Sequence, residues 1–452
     1  MPAPHPQLGH PDYSLHNIRV TVMGLGHFGG NIAAARWLTE QGARVLVTDR
    51  EGPDRLAESI EQLKDLPITF HLGKHREQDF LDTDLIVISP AVPPANPFLA
   101  AARSRGIPIT TEIRLFLQRN PARRIIGITG TKGKSTTTAM LGKMLATQFN
   151  TWVGGNIGHS LLADLPRIGR DDVVVLELSS FMLHYLAEDQ FSPHIALLTL
   201  ITADHLQWHG SPAAYVQAKQ NLVRWQKPGD IAVLPDASIA GPDAENFARL
   251  TKARVVRFGT DQPPFPLRLP GHHNQLNAQA AFAAASTLGI TRDQAEHAIA
   301  DFPGLPHRMQ LVHEAGGIRW INDSIATGPD AAIAALISFD PNTVIQIVGG
   351  QDKSLDMTML AKALVTRAKA TICIGQTGPQ IAAMIRAAGA NPDNLYQCLD
   401  LAAAVATARQ IARPGDTVLL SPAYASYDQY PNYQHRGTAF AQLATQLLKT
   451  EH

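Results

Sequence analysis

Charge of one sign is missing from this chain: 39 lysines and arginines are balanced by 39 aspartates and glutamates, so no net field draws it to nucleic acid or to an anionic membrane surface. Any anionic ligand must be held by local groups. Cysteine is nearly absent: Cys373 and Cys398 are the only two in 452 residues, at no metal-ligand spacing, which excludes a disulfide framework and predicts reduced, buried thiols. No run of about 18 apolar residues could span a bilayer, and the N-terminal stretch MPAPHPQLGHPDYSL has no signal-peptide apolar core. A cytoplasmic protein that does not insert into a membrane is expected, with a disordered tail to Leu8. What is present is a globular balance, 45% hydrophobic and 17% charged, long enough for roughly two to four domains.

Short apolar runs alternating with helical patterns give the rhythm of parallel strands joined by crossover helices. IRVTVM, ARVLVTD, TDLIVIS and IPIT read as strands of a small doubly wound unit, with NIAAARWLTEQG as a helix and PAVPPANP as a proline-rich loop. A second unit opens at RRIIGITGTKGKST and contains the strands DDVVVLELSS, PHIALLTLI and DIAVLP; a third contains IRWIND, TVIQIVGG, ATICIGQTG and TVLLSPAYAS. Pro303, Gly304 and Pro306 interrupt helix continuation between them. The fold class is therefore α/β in three tandem domains, bounded at 1–120, 121–306 and 307–452. In doubly wound sheets ligands gather beyond the carboxyl ends of the strands, so polar residues just after apolar runs carry the most weight.

Two glycine turns compete for attention. GLGHFGG, from Gly24 to Gly30, follows a strand with the G-x-G-x-x-G spacing of a dinucleotide-binding turn, and Asp49 after the next strand stands where a ribose or base contact is expected. A nicotinamide-dependent dehydrogenase is one reading of that turn. It leaves GITGTKGKST unexplained, where a strand, then Gly130, Thr131, Lys132, Gly133, Lys134, Ser135 and Thr136, then a helix, can surround phosphates with backbone N–H groups. The spacing departs from strict G-x-x-x-x-G-K-[ST], because Ile128 stands five before Gly133. Glu177, inside the apolar run VVVLELSSF, needs a cation if buried, with a metal ion or a structural ion pair as the alternatives. Asp204, His205 and His209 follow another strand, and Lys219 in AYVQAKQNL reads locally as a solvated helical lysine.

TGTKGKST, GGNIG, LELSSF, the HL of ADHLQWHG, HNQLNA, GLPHR, WINDSIAT, GGQDKS and LSPAYASYDQYPNYQHRG together resemble, in order and over nearly the whole chain, the Mur ligases of peptidoglycan synthesis. The resemblance implies a Rossmann-like N-terminal UDP-substrate domain, a central phosphate-loop ATPase domain and a mobile Rossmann-like C-terminal domain that receives the amino acid. It implies a cytoplasmic, ATP- and magnesium-dependent ligation of glutamate to UDP-N-acetylmuramoyl-L-alanine through an acyl phosphate, by a monomer with small-molecule partners and no nucleic acid.

Carried over by position, Ser135 and Glu177 match ligands of a first magnesium and His205 a ligand of a second, while Lys219 matches a lysine that becomes carbamylated. Lys134 supplies positive charge to the phosphates. Asn277, Arg308 and Asp323 match nucleotide contacts, and Asn156 and His205 match contacts to the muramoyl substrate. Leu25, Gly26, His27, Phe28 and Asp49 become anchors for the UDP diphosphate and nucleoside, and Thr327, Lys353, Ser426 and Tyr433 match the holders of the glutamate carboxylates. Lys132, Gln207 and Tyr433 stand where asparagine, aspartate and phenylalanine are commoner, and Ile325 where lysine is usual. Ile325 keeps an L-glutamate-adding ligase beside the D-glutamate reading. A nucleotide-binding regulatory protein is a third alternative, which the joint presence of Glu177, His205 and Lys219 argues against.

Overall fold

The structure is a computed structural model that describes residues 14–26, 29–202, 205–240, 242–259, 263–269, 271–352 and 355–446. The expected tail to Leu8, and His27, Phe28, Asp204 and Lys353, lie outside the described residues. Contacts gather the chain into two compact units. One holds the described residues up to Pro263 together with Leu276–His297; the other holds Pro264–Gln275 and the described residues from Ala298 onward.

The first unit contains two parallel sheets. One joins β1 (Arg19–Met23), β2 (Arg44–Thr48), β3 (Thr69–His71), β4 (Leu85–Ile88) and β5 (Ile109–Thr111) in the order β3-β2-β1-β4-β5. The chain leaves β1 toward β2 on one side and returns to β4 on the other, so the crevice between the carboxyl ends of β1 and β4 is a switch point of the kind that receives ligands. The other sheet joins β6 (Arg124–Thr129), β7 (Thr151–Gly155), β8 (Val173–Glu177), β9 (Ile195–Leu198), β10 (Ile231–Pro235) and β11 (Arg254–Phe258) in the order β11-β10-β9-β6-β8-β7. One continuous apolar cluster, from Val20 and Trp37 through Phe116 to Leu176 and Leu234, runs through both sheets of this unit. Arg114, on the helix after β5, pairs with Glu188 at 2.8 Å and Asp189 at 2.6 Å and ties the two sheets' layers together.

The second unit holds one sheet of β12 (Gln310–Ala315), β13 (Ile318–Asn322), β14 (Val344–Gly349), β15 (Ala370–Ile374), β16 (Leu395–Gln397) and β17 (Thr417–Leu420), ordered β12-β13-β17-β14-β15-β16. It is parallel except at one edge, where β12 runs antiparallel to β13 through a bulge at Leu311 and His313. A short Gly316–Gly317 turn, both residues at positive φ, joins the pair, which is possible only for antiparallel neighbours. Both cysteines are free thiols as expected, but only Cys373 is buried; Cys398, past the edge strand β16, is half-buried.

The strands the sequence reveals are the interior ones and β5. β3, β7, β11, β12 and β16, all edges, do not stand out in the sequence.

Candidate active site

The carboxyl ends of β6, β8 and β9 converge on the phosphate loop. Gly130 takes φ +152° and Gly133 φ +86°, and a Cβ on the first would run into Thr199 Oγ1 and on the second into Asn277 Oδ1. Both positions are therefore confined to glycine by backbone and by space. The helix Lys134–Leu145 starts at Gly133, whose lack of a side chain leaves the N-terminus without the usual side-chain cap and turns the positive end of the helix dipole toward the loop, as anion-binding turns do. Thr131 N–H donates to Leu200 O at 2.6 Å, Thr131 Oγ1 to Thr202 O at 2.8 Å, and Thr199 Oγ1 to Lys132 O at 2.8 Å. The loop is thus stitched to the chain leaving β9. Lys134 Nζ donates to Thr131 O at 3.0 Å, and Ser135 lies half-buried beside it while Thr136 is buried in the helix.

Glu177 ends β8, opposite Ile128 of β6, and is 1% exposed. Its Oε1 accepts from Asn156 Nδ2 at 2.9 Å, and Asn156 N–H donates to Glu177 O at 2.8 Å, so the GGNIG turn after β7 is latched to this one residue. Gly155, at φ +90°, brings that turn in so closely that a Cβ would strike Glu177 O. Oε2 is buried with no hydrogen-bond partner among the described residues. A buried carboxylate oxygen left so is costly unless a cation completes it. Magnesium fits this donor set, because it binds through one or two protein oxygens and takes its remaining ligands from phosphates and water. Among the described residues no three His, Cys, Asp or Glu side chains form a metal cage.

Lys219 overturns its local reading as a solvated lysine. It is 1% exposed, its Nζ donates to Gly130 O at 2.6 Å and Thr129 Oγ1 at 3.4 Å, and it lies 4.7 Å from the centroid of the Tyr215 ring. His205 is exposed at φ +51°, its ring 4.8 Å from Phe181. His209 differs: its Nε2 meets Ser180 Oγ at 3.0 Å, and burial, with the basic side chains of His184, His205 and Lys219 nearby, pushes its pKa down to about 4. It stays neutral at physiological pH.

At the first switch point Gly24, Gly26 and Gly29 all have positive φ, and Gly29 caps the helix Gly30–Glu40 without a side-chain bond. Asn31 Nδ2 donates to Gly24 O at 2.7 Å and Ser59 Oγ to Gly26 O at 2.8 Å. Leu25 is buried. Asp49 is also buried, and its carboxylate accepts from Gly26 N–H at 3.2 Å and Glu51 N–H at 2.9 Å. It thereby braces the turn.

In the second unit, Asp323 follows β13, 5% exposed, accepting from Met309 N–H at 3.1 Å and Ser421 Oγ at 2.8 Å. Burial raises its pKa to about 7, although Ser421, Met309 and the nearby Arg308 pull the other way. Thr327 lies four residues on, in a loop where Thr327 N–H bonds Ile325 O at 2.8 Å. Ser426 is buried after β17, and the half-buried Tyr433 ring sits 6.1 Å from His307.

Three residues that sequence reasoning passed over help build these sites. Thr199 braces the phosphate loop, and Tyr215 Oη shares a 2.8 Å hydrogen bond with Thr131 Oγ1. Tyr215 was legible, standing four residues before Lys219 and so on the same helix face. Arg436 in QHRG is 1% exposed and bonds Ser324 Oγ at 2.9 Å, Ser324 O at 2.9 Å and Tyr424 O at 3.1 Å, joining the loops after β13 and β17. Its charge among neutral acceptors lowers its pKa to about 10 through burial. No local pattern marks it.

Comparison with known proteins bears on this arrangement. Residues 18–111 match the Mur ligase MurD-like N-terminal domain, 128–264 the Mur ligase middle domain and 307–424 the Mur ligase glutamate ligase domain. The chain is 40% identical to the UDP-N-acetylmuramoylalanine–D-glutamate ligase of Roseiflexus sp. (strain RS-1), across 94% of this chain and 98% of that one. It is 37% identical to the enzyme of the same name from Symbiobacterium thermophilum, across 95% and 98%. Among solved structures, UDP-N-acetylmuramate-alanine ligase MurC from Thermotoga maritima has the same fold at a TM-score of 0.61 and 21% identity, covering 96% of this chain and 100% of that one.

Proposed function

The chain is a member of the Mur ligase family, and from that premise we propose that it joins D-glutamate to UDP-N-acetylmuramoyl-L-alanine with cleavage of ATP to ADP and phosphate, in the cytoplasmic stage of peptidoglycan synthesis. Full-length relatives named for D-glutamate favour that stereochemistry over the L-glutamate alternative, Ile325 notwithstanding. A dehydrogenase or a catalytically silent nucleotide binder is not favoured. The observation that carries an ATP-dependent reaction is the meeting of an uncapped glycine loop with Lys134, the half-satisfied Glu177 and the buried Lys219 at one set of strand ends.

A carboxylate is a poor acyl donor. The alanyl carboxylate attacks the γ-phosphorus of ATP, ADP leaves, and an acyl phosphate results; the glutamate amine then attacks the acyl carbon, phosphate leaves and the nitrogen loses a proton. Lys134 and the first-turn amides of its helix neutralise charge gathering on the transferred phosphoryl group. Ser135 and Glu177 would hold one magnesium ion and His205 a second, which when bound supply further charge neutralisation. Asn156 holds Glu177 and offers its turn to the muramoyl group.

We assign Lys219 a carbamate: carbon dioxide adds to the neutral amine with loss of a proton, giving an anionic group that would serve as a metal ligand. Gly130 to Thr136, Asn277, Arg308 and Asp323 are assigned to ATP; Leu25 to Phe28, Asp49, Asn156 and His205 to the UDP substrate; and Thr327, Lys353, Ser426 and Tyr433 to glutamate. Domain limits of 1–120, 121–306 and 307–452 and a monomeric state complete the proposal. No helix among the described residues is long and apolar enough to cross a membrane. The test is incubation of the purified protein with ATP, magnesium, UDP-N-acetylmuramoyl-L-alanine and either glutamate enantiomer, followed by mass detection. Product with D-glutamate is expected; product only with L-glutamate, or none, overturns the substrate assignment.

A further inference from the structure

The loop after β4, Ser89-Pro-Ala-Val-Pro-Pro-Ala-Asn96, forms one wall of the first switch point. A Cβ on Gly24 of the facing turn would lie 3.5 Å from Ser89 Cβ. Three prolines, Pro90, Pro93 and Pro94, leave this loop short of backbone donors, and its own bonds are local turns, Val92 N–H to Ser89 O at 2.9 Å and Asn96 N–H to Pro93 O at 3.0 Å, beside the Ser89 N–H bond to Met23 O at 3.1 Å. One carbonyl, Pro94 O, accepts from Arg103 Nη1 of the following helix at 2.8 Å, and two more are held by aromatic side chains from beyond the second sheet's strands. Trp208 Nε1 donates to Ala91 O at 2.9 Å and Tyr185 Oη donates to Val92 O at 2.7 Å.

Both donors stand on elements that begin at candidate metal-site residues. Tyr185 is on the helix Ser180–Leu186, entered from Glu177 through the Ser179 cap, whose side chain accepts from Met182 N–H. Trp208 is on the short helix Leu206–His209, directly after His205. The two elements pack as one aromatic cluster, with Phe181 4.8 Å from His205 and 4.9 Å from Trp208, and Tyr185 6.3 Å from Trp208. The His209 to Ser180 bond clamps them further.

We infer that Trp208 and Tyr185 are positioning residues that set the UDP-substrate loop relative to Glu177 and His205, so that a precursor anchored at the first sheet presents its carboxylate at the phosphate loop of the second. This rests on the proposed ligase reading. Neither side chain needs to touch a reacting atom. Their hydroxyl and indole N–H fix the loop that faces the anchoring turn across the switch point, and one aromatic core transmits position to both ends.

The test uses Trp208→Phe and Tyr185→Phe in the full chain, which keep a ring but remove the donor. Each lost bond should raise KM for UDP-N-acetylmuramoyl-L-alanine about fivefold to tenfold and lower kcat, with KM for ATP within about twofold of wild type. The thermal unfolding midpoint should hold, and the double variant should fall short of the product of the singles, because both bonds fix one loop. Unchanged KM for the UDP substrate in both variants overturns the inference, as does a rise in both KM values that tracks a fallen unfolding midpoint. If wild-type protein forms no product from the UDP precursor, the ligase reading fails instead, an outcome separate from any effect of the two substitutions.

Discussion

The two glycine turns of the first unit have nearly the same backbone and different surroundings. Gly29 caps its helix at φ 84°, ψ −26°, and Gly133 caps its own at φ 86°, ψ −15°, neither helped by a side chain. Around Gly26 and Gly29 a Cβ would meet nothing within 4 Å among the described residues, which do not include His27 and Phe28, whereas around Gly130 and Gly133 it would strike Thr199 and Asn277. The acid near the first turn, Asp49, is occupied by two backbone donors; the acid near the second, Glu177, keeps one buried oxygen without a donor. No lysine follows Gly29 into its helix, while Lys134 follows Gly133. On the proposed function, the same kind of turn is an anchor in one place and, in the other, a stiffened cradle with charge arranged for phosphoryl transfer. Backbone spacing alone, which the two share, does not separate binding from chemistry; the side chains at neighbouring strand ends do.

That division can be broken by substitution. The largest effect is expected from Lys134→Ala, which should slow ADP formation about a thousandfold or more, measured as phosphate release with all substrates present. Glu177→Gln keeps the shape and the bond to Asn156 but removes the charge, and should cost about a hundredfold with a raised magnesium requirement in a metal titration. Lys219→Ala should lose most of the rate, on the order of a hundredfold, and recover part of it in added short-chain carboxylates. No loss at all would remove the carbamate assignment. Gly26→Ala, at φ +61° with no described residue within 4 Å of the new methyl, should cost the left-handed backbone penalty of roughly 1–2 kcal/mol, seen as a rise of about tenfold in KM for the UDP precursor at nearly unchanged kcat.

How much of this was legible follows from burial. Interior strands such as β4, β8 and β14 are buried at every position, so each reads as a largely apolar run, broken only by Glu177 in β8 and Gln346 in β14. β3 (TFH), β11 (RVVRF) and β12 (QLVHEA) are edges whose residues are mostly half-exposed, and mixed composition hides them. β7 ends in the two glycines of GGNIG, which read as a turn although Gly155 is there to approach Glu177. At the site, Gly130, Lys134 and Glu177 were visible because each departs from its setting: glycine and lysine at a strand-to-helix junction, a carboxylate inside an apolar run. Lys219 was not visible from its neighbours, because a lysine on an amphipathic helix looks solvated until the loop it contacts, some ninety residues earlier in the chain, is folded against it. Arg436 and Trp208 were hidden for the same reason, their partners being carbonyls distant in sequence.

The most direct measurement is calorimetric titration of UDP-N-acetylmuramoyl-L-alanine, without ATP, into wild-type, Lys134→Ala and Gly26→Ala protein. Lys134→Ala should bind the precursor as the wild type does although its ADP formation is gone, and Gly26→Ala should bind it about tenfold more weakly. Loss of precursor binding in Lys134→Ala with full binding in Gly26→Ala would contradict the division between an anchoring turn and a catalytic one.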